Sequence, residues 1–189
     1  MDRMPPIAQE QWSADQQTYA QEIVDGPRGG LISPFVPLLR SPELMAHAGR
    51  MGEYLRYRSA LGLRLSELAI LITARHWSQQ VEWAIHVPIA EREGISSATV
   101  AAISDGRIPE NLPEDETALY KFSTELHQNK SVCDATWLRA KQHFGEQGVM
   151  DLIGINGYYA FLSMVMNAAR TAVPESNTPP LTPIPANVI

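Results

Sequence analysis

A single cysteine, Cys133, occurs in 189 residues, which excludes an internal disulfide and a thiolate metal cluster. Positive charge is scarce as well. Lys and Arg number 15 against 21 Asp and Glu, for a formal net charge of −6. Phosphate recognition needs a basic patch, and the scattered Arg50, Arg56, Arg58 and Arg64 are the nearest approach to one. Neither a nucleic acid nor a membrane is expected as a partner. The opening stretch MDRMPPIAQEQW lacks the apolar core of a secretory signal. Together with the lone thiol, this makes a cytoplasmic location the expectation. One uncharged run, LIGINGYYAFLSMVMNAA at 152–169, nearly reaches membrane-spanning length. Asn156, Ser163 and Asn167 recur along it and it stands alone, so it reads as a buried core or subunit-interface helix. No stretch alternates as a half-buried strand does, and the fold class is all-α.

What is present is a chain of helices separated by readable punctuation. Ser13 and Gln16 form a capping-box pattern that opens a helix to about Val24. DGPRGG is a turn or loop, and LISPFVPLLRSP, broken by Pro34, Pro37 and Pro42, reads as an extended segment. Ser41-Pro42 starts a helix to about Leu61 with Leu44, Ala48, Met51 and Leu55 on one stripe. Ser66 is the expected cap of a helix from Glu67 to Trp77, apolar on nearly all sides. The next helix ends at Gly94, and Ser96 caps a short one. Three more are expected over about 114–129, 134–145 and 148–171. The organisation is then an N-terminal helical extension (1–30), a main helical domain (31–173) and a Pro-rich arm (174–189) that is either loose or draped over a neighbour.

The chemistry concentrates in QQVEWAIHVPIAEREG, residues 79–94. Glu82 and His86 are four apart and share one helix face. A carboxylate beside an imidazole favours the protonated ring, giving a group suited to acid–base work; such pairs also occur as plain structural contacts. Pro88 cannot donate its backbone hydrogen bond, so the carbonyl of Ala84 is left free. Glu67 sits in apolar company and needs a donor if buried, and His86 is a candidate. His47, His76, His127 and His143 show no metal-ligand spacing, and no metal is expected.

The pattern of Glu67, Ala74-Arg75, Glu82-Trp83, His86, Ala90 and Gly94 resembles the carboxymuconolactone decarboxylase family. That resemblance implies the helical bundle shared with the alkyl hydroperoxidase D proteins, and it spans roughly 35–170. In the hydroperoxidase branch two cysteines stand between the Glu and the His. Here their places fall on Gln79 and Glu82, so the dithiol needed to reduce a peroxide is missing. The resemblance implies instead a cofactor-free lyase acting on a small carboxylated lactone or related organic acid. His86 would donate the proton, Glu82 would orient it and Glu67 would complete a relay. Arg75 has the planar fork that suits a substrate carboxylate, or it pairs with Glu67 or another buried acid. Trp83, His76 and Gln79 would line the substrate site, although Trp83 equally suits a core. A homo-oligomer, trimer or hexamer, is also implied. The rival reading is a non-catalytic ligand-binding or scaffold protein of the same fold.

Overall fold

The computed structural model describes residues 2–27 and 29–182; the last seven residues of the expected Pro-rich arm lie outside the described residues. After a 3-10 turn at Gln9–Gln11 come α1 (Ala14–Asp25), α2 (Phe35–Leu38), α3 (Pro42–Tyr57), α4 (Gly62–His76), α5 (Gln80–Arg92), α6 (Ser97–Ser104), α7 (Glu114–Asn129) and α8 (Asp134–Ala169). No strand occurs among the described residues.

Local chemistry sets several ends as expected. Ser13 accepts from the Gln16 N–H while the Gln16 side chain accepts from the Ser13 N–H, so two orphan donors are satisfied together. Pro42 takes the first turn of α3, where a missing N–H costs nothing. Ser96 caps α6 through the Thr99 N–H. Gly94 has φ 101° and lets the Ile95 N–H turn back to the carbonyl of Ala90, the left-handed stop that favours glycine.

Other expectations are corrected. Residues 35–38 form a helical turn rather than an extended run. Pro34 and Pro37 fall at its start, where proline is tolerated, and Phe35, Leu38 and Leu39 are buried. In α3 the buried stripe is Met45, Ala48, Gly49, Gly52 and Leu55, whereas Leu44 and Met51 are 46 % and 45 % exposed. The small residues turn inward because they admit neighbours. A Cβ on Gly49 would lie 3.3 Å from the Ile23 side chain of α1. Helix α3 ends at Tyr57, and α4 starts at Gly62, five residues before Glu67. Gly62 has φ 72° and turns the chain directly into the helix. Ser66 is therefore interior, its hydroxyl bonded to that of Ser59 at 3.1 Å rather than capping. The two helices expected over 134–145 and 148–171 meet without a loop in α8, broken only at Gly145 (φ 68°, ψ 179°), a conformation essentially restricted to glycine.

Helix α4 is the axis of the fold. Every residue from Leu65 to Arg75 is buried, and α3, α5, α6, α7 and α8 all pack on it. Helix α8 is long and apolar enough to cross a membrane by length and composition, and 56 % of its most apolar window is buried inside the protein, against α4, α7 and α3. Its Asn156, Ser163 and Tyr159 are among the buried residues.

The described part of the C-terminal arm folds back along α5. Ser176 Oγ donates to the carbonyl of Ala84 at 3.4 Å, the carbonyl that Pro88 leaves without its usual N–H. Trp83 Nε1 donates to Pro179 at 3.2 Å, and Gln80 holds both the N–H and the C=O of Leu181 at 2.9 Å. Positions 80, 83 and 84 share one helix face.

Candidate functional site

The antiparallel pair α4–α5, turned at Trp77–Gln79, brings Glu67 and His86 face to face. His86 Nδ1 lies 2.6 Å from Glu67 Oε2, and His86 Nε2 lies 3.2 Å from Glu82 Oε2. The imidazole thus bridges two carboxylates, one from each helix. Glu67 is 0 % exposed, and Glu82 and His86 are each 3 % exposed. Burial works against a charged ring, but Glu67 and then Glu82 outweigh it and raise the His86 pKa to about 9. At neutral pH the ring carries both protons and donates one to each acid. Glu67 lies beyond the first turn of α4, so the positive helix end, which acts only within that turn, does not set its charge.

Two residues that the sequence did not single out complete the cluster. Arg56, from α3, places Nε 4.0 Å from Glu67 Oε1. The Tyr159 ring meets His86 edge-on, with centroids 5.3 Å apart and an interplanar angle of 89°. Burial, then Glu82 and Glu67, push the Tyr159 phenol pKa well up, which keeps it neutral. A signal for Arg56 exists in hindsight. It lies four and seven residues after Gly52 and Gly49, at the rim of the buried stripe. Three polar atoms of this cluster are buried without a hydrogen-bond partner, namely Arg56 Nε, Glu67 Oε1 and Glu82 Oε1. Arg56 is the cluster's link to the outside, its side chain 16 % exposed.

The other expected site residues are placed elsewhere. Arg75 stands two turns along α4 from Glu67, about 12 Å by helical rise. Its Nη1 donates to the carbonyl of Thr182 in the arm at 2.7 Å. Trp83 faces the arm through Pro179. Gln79 caps α5, accepting from the Val81 N–H, and donates to Asn167 of α8 at 2.8 Å. His76 stacks on His127 with centroids 4.7 Å apart. Burial lowers both imidazole pKa values, that of His127 to about 4 with His76 contributing. Cys133 is exposed at the start of α8, on a helix that supplies the cluster only through Tyr159. Surface concavities lined by Glu22 and Arg50, and by Lys121 and Arg139, lie off the cluster.

Because both His86 nitrogens face carboxylates, the ring offers no lone pair to a metal. No group of His, Cys, Asp and Glu arranged to hold a metal ion occurs among the described residues. What the cluster can do is store a proton in a buried site and pass it along a hydrogen-bonded line.

No family model and no curated protein sequence matches the chain. A solved structure of a protein of unknown function from Agrobacterium tumefaciens, provisionally assigned to antioxidant defence as AhpD, is similar to it. The TM-score is 0.65 at 17 % sequence identity, covering 74 % of this chain and 96 % of that one. The all-helical fold is therefore AhpD-like.

Proposed function

We propose that the protein is a cofactor-free acid–base enzyme of the carboxymuconolactone decarboxylase type, acting on a small carboxylated lactone or related organic acid. The observation that carries this reading is the buried imidazole held at 2.6 and 3.2 Å between two carboxylates. Loss of carbon dioxide from the substrate carboxylate would leave its electron pair in the conjugated carbonyl system. A proton added to that enolate completes the exchange. His86 stores the proton, and Glu67 stabilises the charged ring. Glu82 has one oxygen on His86 and the other, Oε1, buried without a partner, which leaves it able to accept one further hydrogen bond. Gln79 and Glu82 are not thiols, so peroxide reduction by a cysteine pair is disfavoured.

Exposed apolar side chains, including Met150 and Met164 on α8 and Leu44 and Met51 on α3, support assembly into a homo-oligomer; trimer or hexamer is the size that the family resemblance implies. A cytoplasmic location belongs to the same proposal. A second reading, a non-catalytic scaffold or ligand-binding protein, is favoured by one observation: the three acid–base residues are at most 3 % exposed.

The test is loss of ultraviolet absorbance from carboxymuconolactone with wild type, His86→Gln and Glu82→Gln, each checked for helical content. Turnover by wild type that disappears in folded His86→Gln supports the lyase. No turnover by wild type refutes decarboxylation of that lactone. A large stability loss in His86→Gln, with no substrate turned over by wild type, favours the scaffold.

A further inference from the structure

Arg75 is an anomaly independent of the proton-transfer cluster. It is 6 % exposed, yet no acid among the described residues lies within ion-pair distance of it. Its hydrogen bond there is to one neutral acceptor, the Thr182 carbonyl, while Nε is buried without a partner. Burial lowers its pKa, and Asp105 alone acts the other way. A buried guanidinium normally has a counter-charge, because desolvating it alone is costly.

A helix N-terminus lies close to the arm residue that Arg75 holds. Gln80, the first residue of the 13-residue helix α5, grips Leu181 next to the Thr182 that Arg75 holds, so Arg75 and the N-terminal end of α5 bind adjacent residues of the arm. That end carries a partial positive charge; Gln79 caps its Val81 N–H, and the Glu82 of its first turn is turned to His86. The described part of the arm meets the guanidinium and the helix end with neutral carbonyls, those of Thr182 and Leu181.

We propose that Arg75, Gln80 and the N-terminus of α5 form a binding site for a small carboxylate anion, which the arm over residues 176–182 occupies in its place. A carboxylate fits because the free Nε edge of Arg75 belongs to a planar fork that takes two oxygens at once, and the Gln80 amide can donate beside it. Binding exchanges the Leu181 and Thr182 contacts for the anion and releases the arm from α5. Since Gln80 and Glu82 belong to the same helical turn, the arm is positioned to couple anion binding to the N-terminal turn of α5. The site is about 12 Å along α4 from Glu67 and stands whether or not the lyase reading holds.

Hydrogen–deuterium exchange of the full chain tests this, with sodium succinate as the probe against sodium chloride at equal ionic strength. The Leu181 amide, bonded to Gln80 Oε1, is the reporter. Succinate should raise exchange across 176–182 in wild type on the order of tenfold, the scale of one charge-assisted hydrogen bond, while the cluster around His86 stays protected. Arg75→Lys keeps the charge and a donor for Thr182 but loses the fork. It should protect the arm without succinate and respond weakly to it. Arg75→Gln should free the arm at all succinate concentrations. Unchanged exchange in wild type, or an equal response in Arg75→Lys, overturns the proposal and leaves Arg75 as a simple latch for the arm.

Discussion

The buried histidines predict how stability depends on pH, and they do so with opposite signs. In the folded protein His86 has its pKa raised from 6.5 to about 9. Between those values the folded chain binds a proton that the unfolded chain has released, so stability falls as pH rises. The contribution is complete below pH 6.5 and is lost as pH climbs through about 9. At about 1.4 kcal/mol per pH unit the full span is on the order of 3 kcal/mol. His127 does the reverse. Burial and the stacked His76 depress its pKa to about 4, so the unfolded chain binds the extra proton between 4 and 6.5. Stability then falls as pH drops through that window, by a similar order of magnitude. His76, lowered by burial and Lys130, adds to the acid limb. A maximum near pH 6.5 follows, with both limbs assigned to named residues.

Urea unfolding from pH 4 to 10 measures this directly. Wild type should trace both limbs, His86→Gln should lose the alkaline limb and keep the acid one, and His127→Gln should do the opposite. The difference between wild type and each variant cancels the groups they share. An alkaline limb that persists undiminished in His86→Gln would show that His86 is not the group titrating there. A ring that titrates at or below 6.5 by nuclear magnetic resonance would refute the two-carboxylate account outright.

Three further outcomes follow from single contacts. Glu67→Gln should lower the His86 pKa more than Glu82→Gln, since Glu67 is nearer and the larger raising cause; the ring's nitrogen-15 shifts against pH decide this. Gly145→Ala has open space for its methyl but must adopt φ 68° with ψ 179°, so it should cost about 1–3 kcal/mol in urea melts with helical content unchanged. Asp151→Ala removes the acceptor of the Tyr54 hydroxyl at 3.0 Å and of the Ala60 N–H at 2.8 Å. It should destabilise by about 1–3 kcal/mol through the turn between α3 and α4, seen as faster amide exchange at Ala60.

What could be read from sequence is what neighbours along the chain determine. The Ser13–Gln16 box, Pro42, Gly94 and Ser96 each act within four residues, and the structure places all of them at helix ends as read. Spacing alone put Glu82 and His86 on one face. The pairing of Glu67 with His86 is legible only as a candidate, from a buried acid's need for a donor, because 19 residues separate them and periodicity says nothing about which helices touch. Arg56 was missed for the same reason, and the arm's landing on α5 was not readable from its prolines. The inward stripe of α3 failed differently. Helical spacing puts Leu44 and Met51 on one stripe with Ala48 and Leu55, yet the buried face holds Gly49 and Gly52, and at Gly49 the Ile23 side chain comes so near that an added Cβ would crowd it. The start of α4 at Gly62 carries no capping side chain, so its signal was backbone geometry alone.

The four charged side chains of the cluster constrain every later experiment. With His86 protonated, Arg56 and His86 balance Glu67 and Glu82, so the buried group carries no net charge. Removing one member leaves an uncompensated charge where water is scarce, at a cost of about 3–5 kcal/mol. An alanine at position 86 therefore confounds lost chemistry with lost folding. The shape-conserving His86→Gln and Glu82→Gln keep hydrogen-bonding groups in place and change fewer things. Even so, Glu82→Gln makes the cluster net positive while His86→Gln makes it net negative. A double variant carrying both substitutions restores balance. It should be less destabilised than the sum of the two single variants, and it should still fail to transfer a proton. Recovery of stability without recovery of turnover separates the electrostatic role of the cluster from its chemical one. Additive stability losses would mean that the residues do not balance one another's charge.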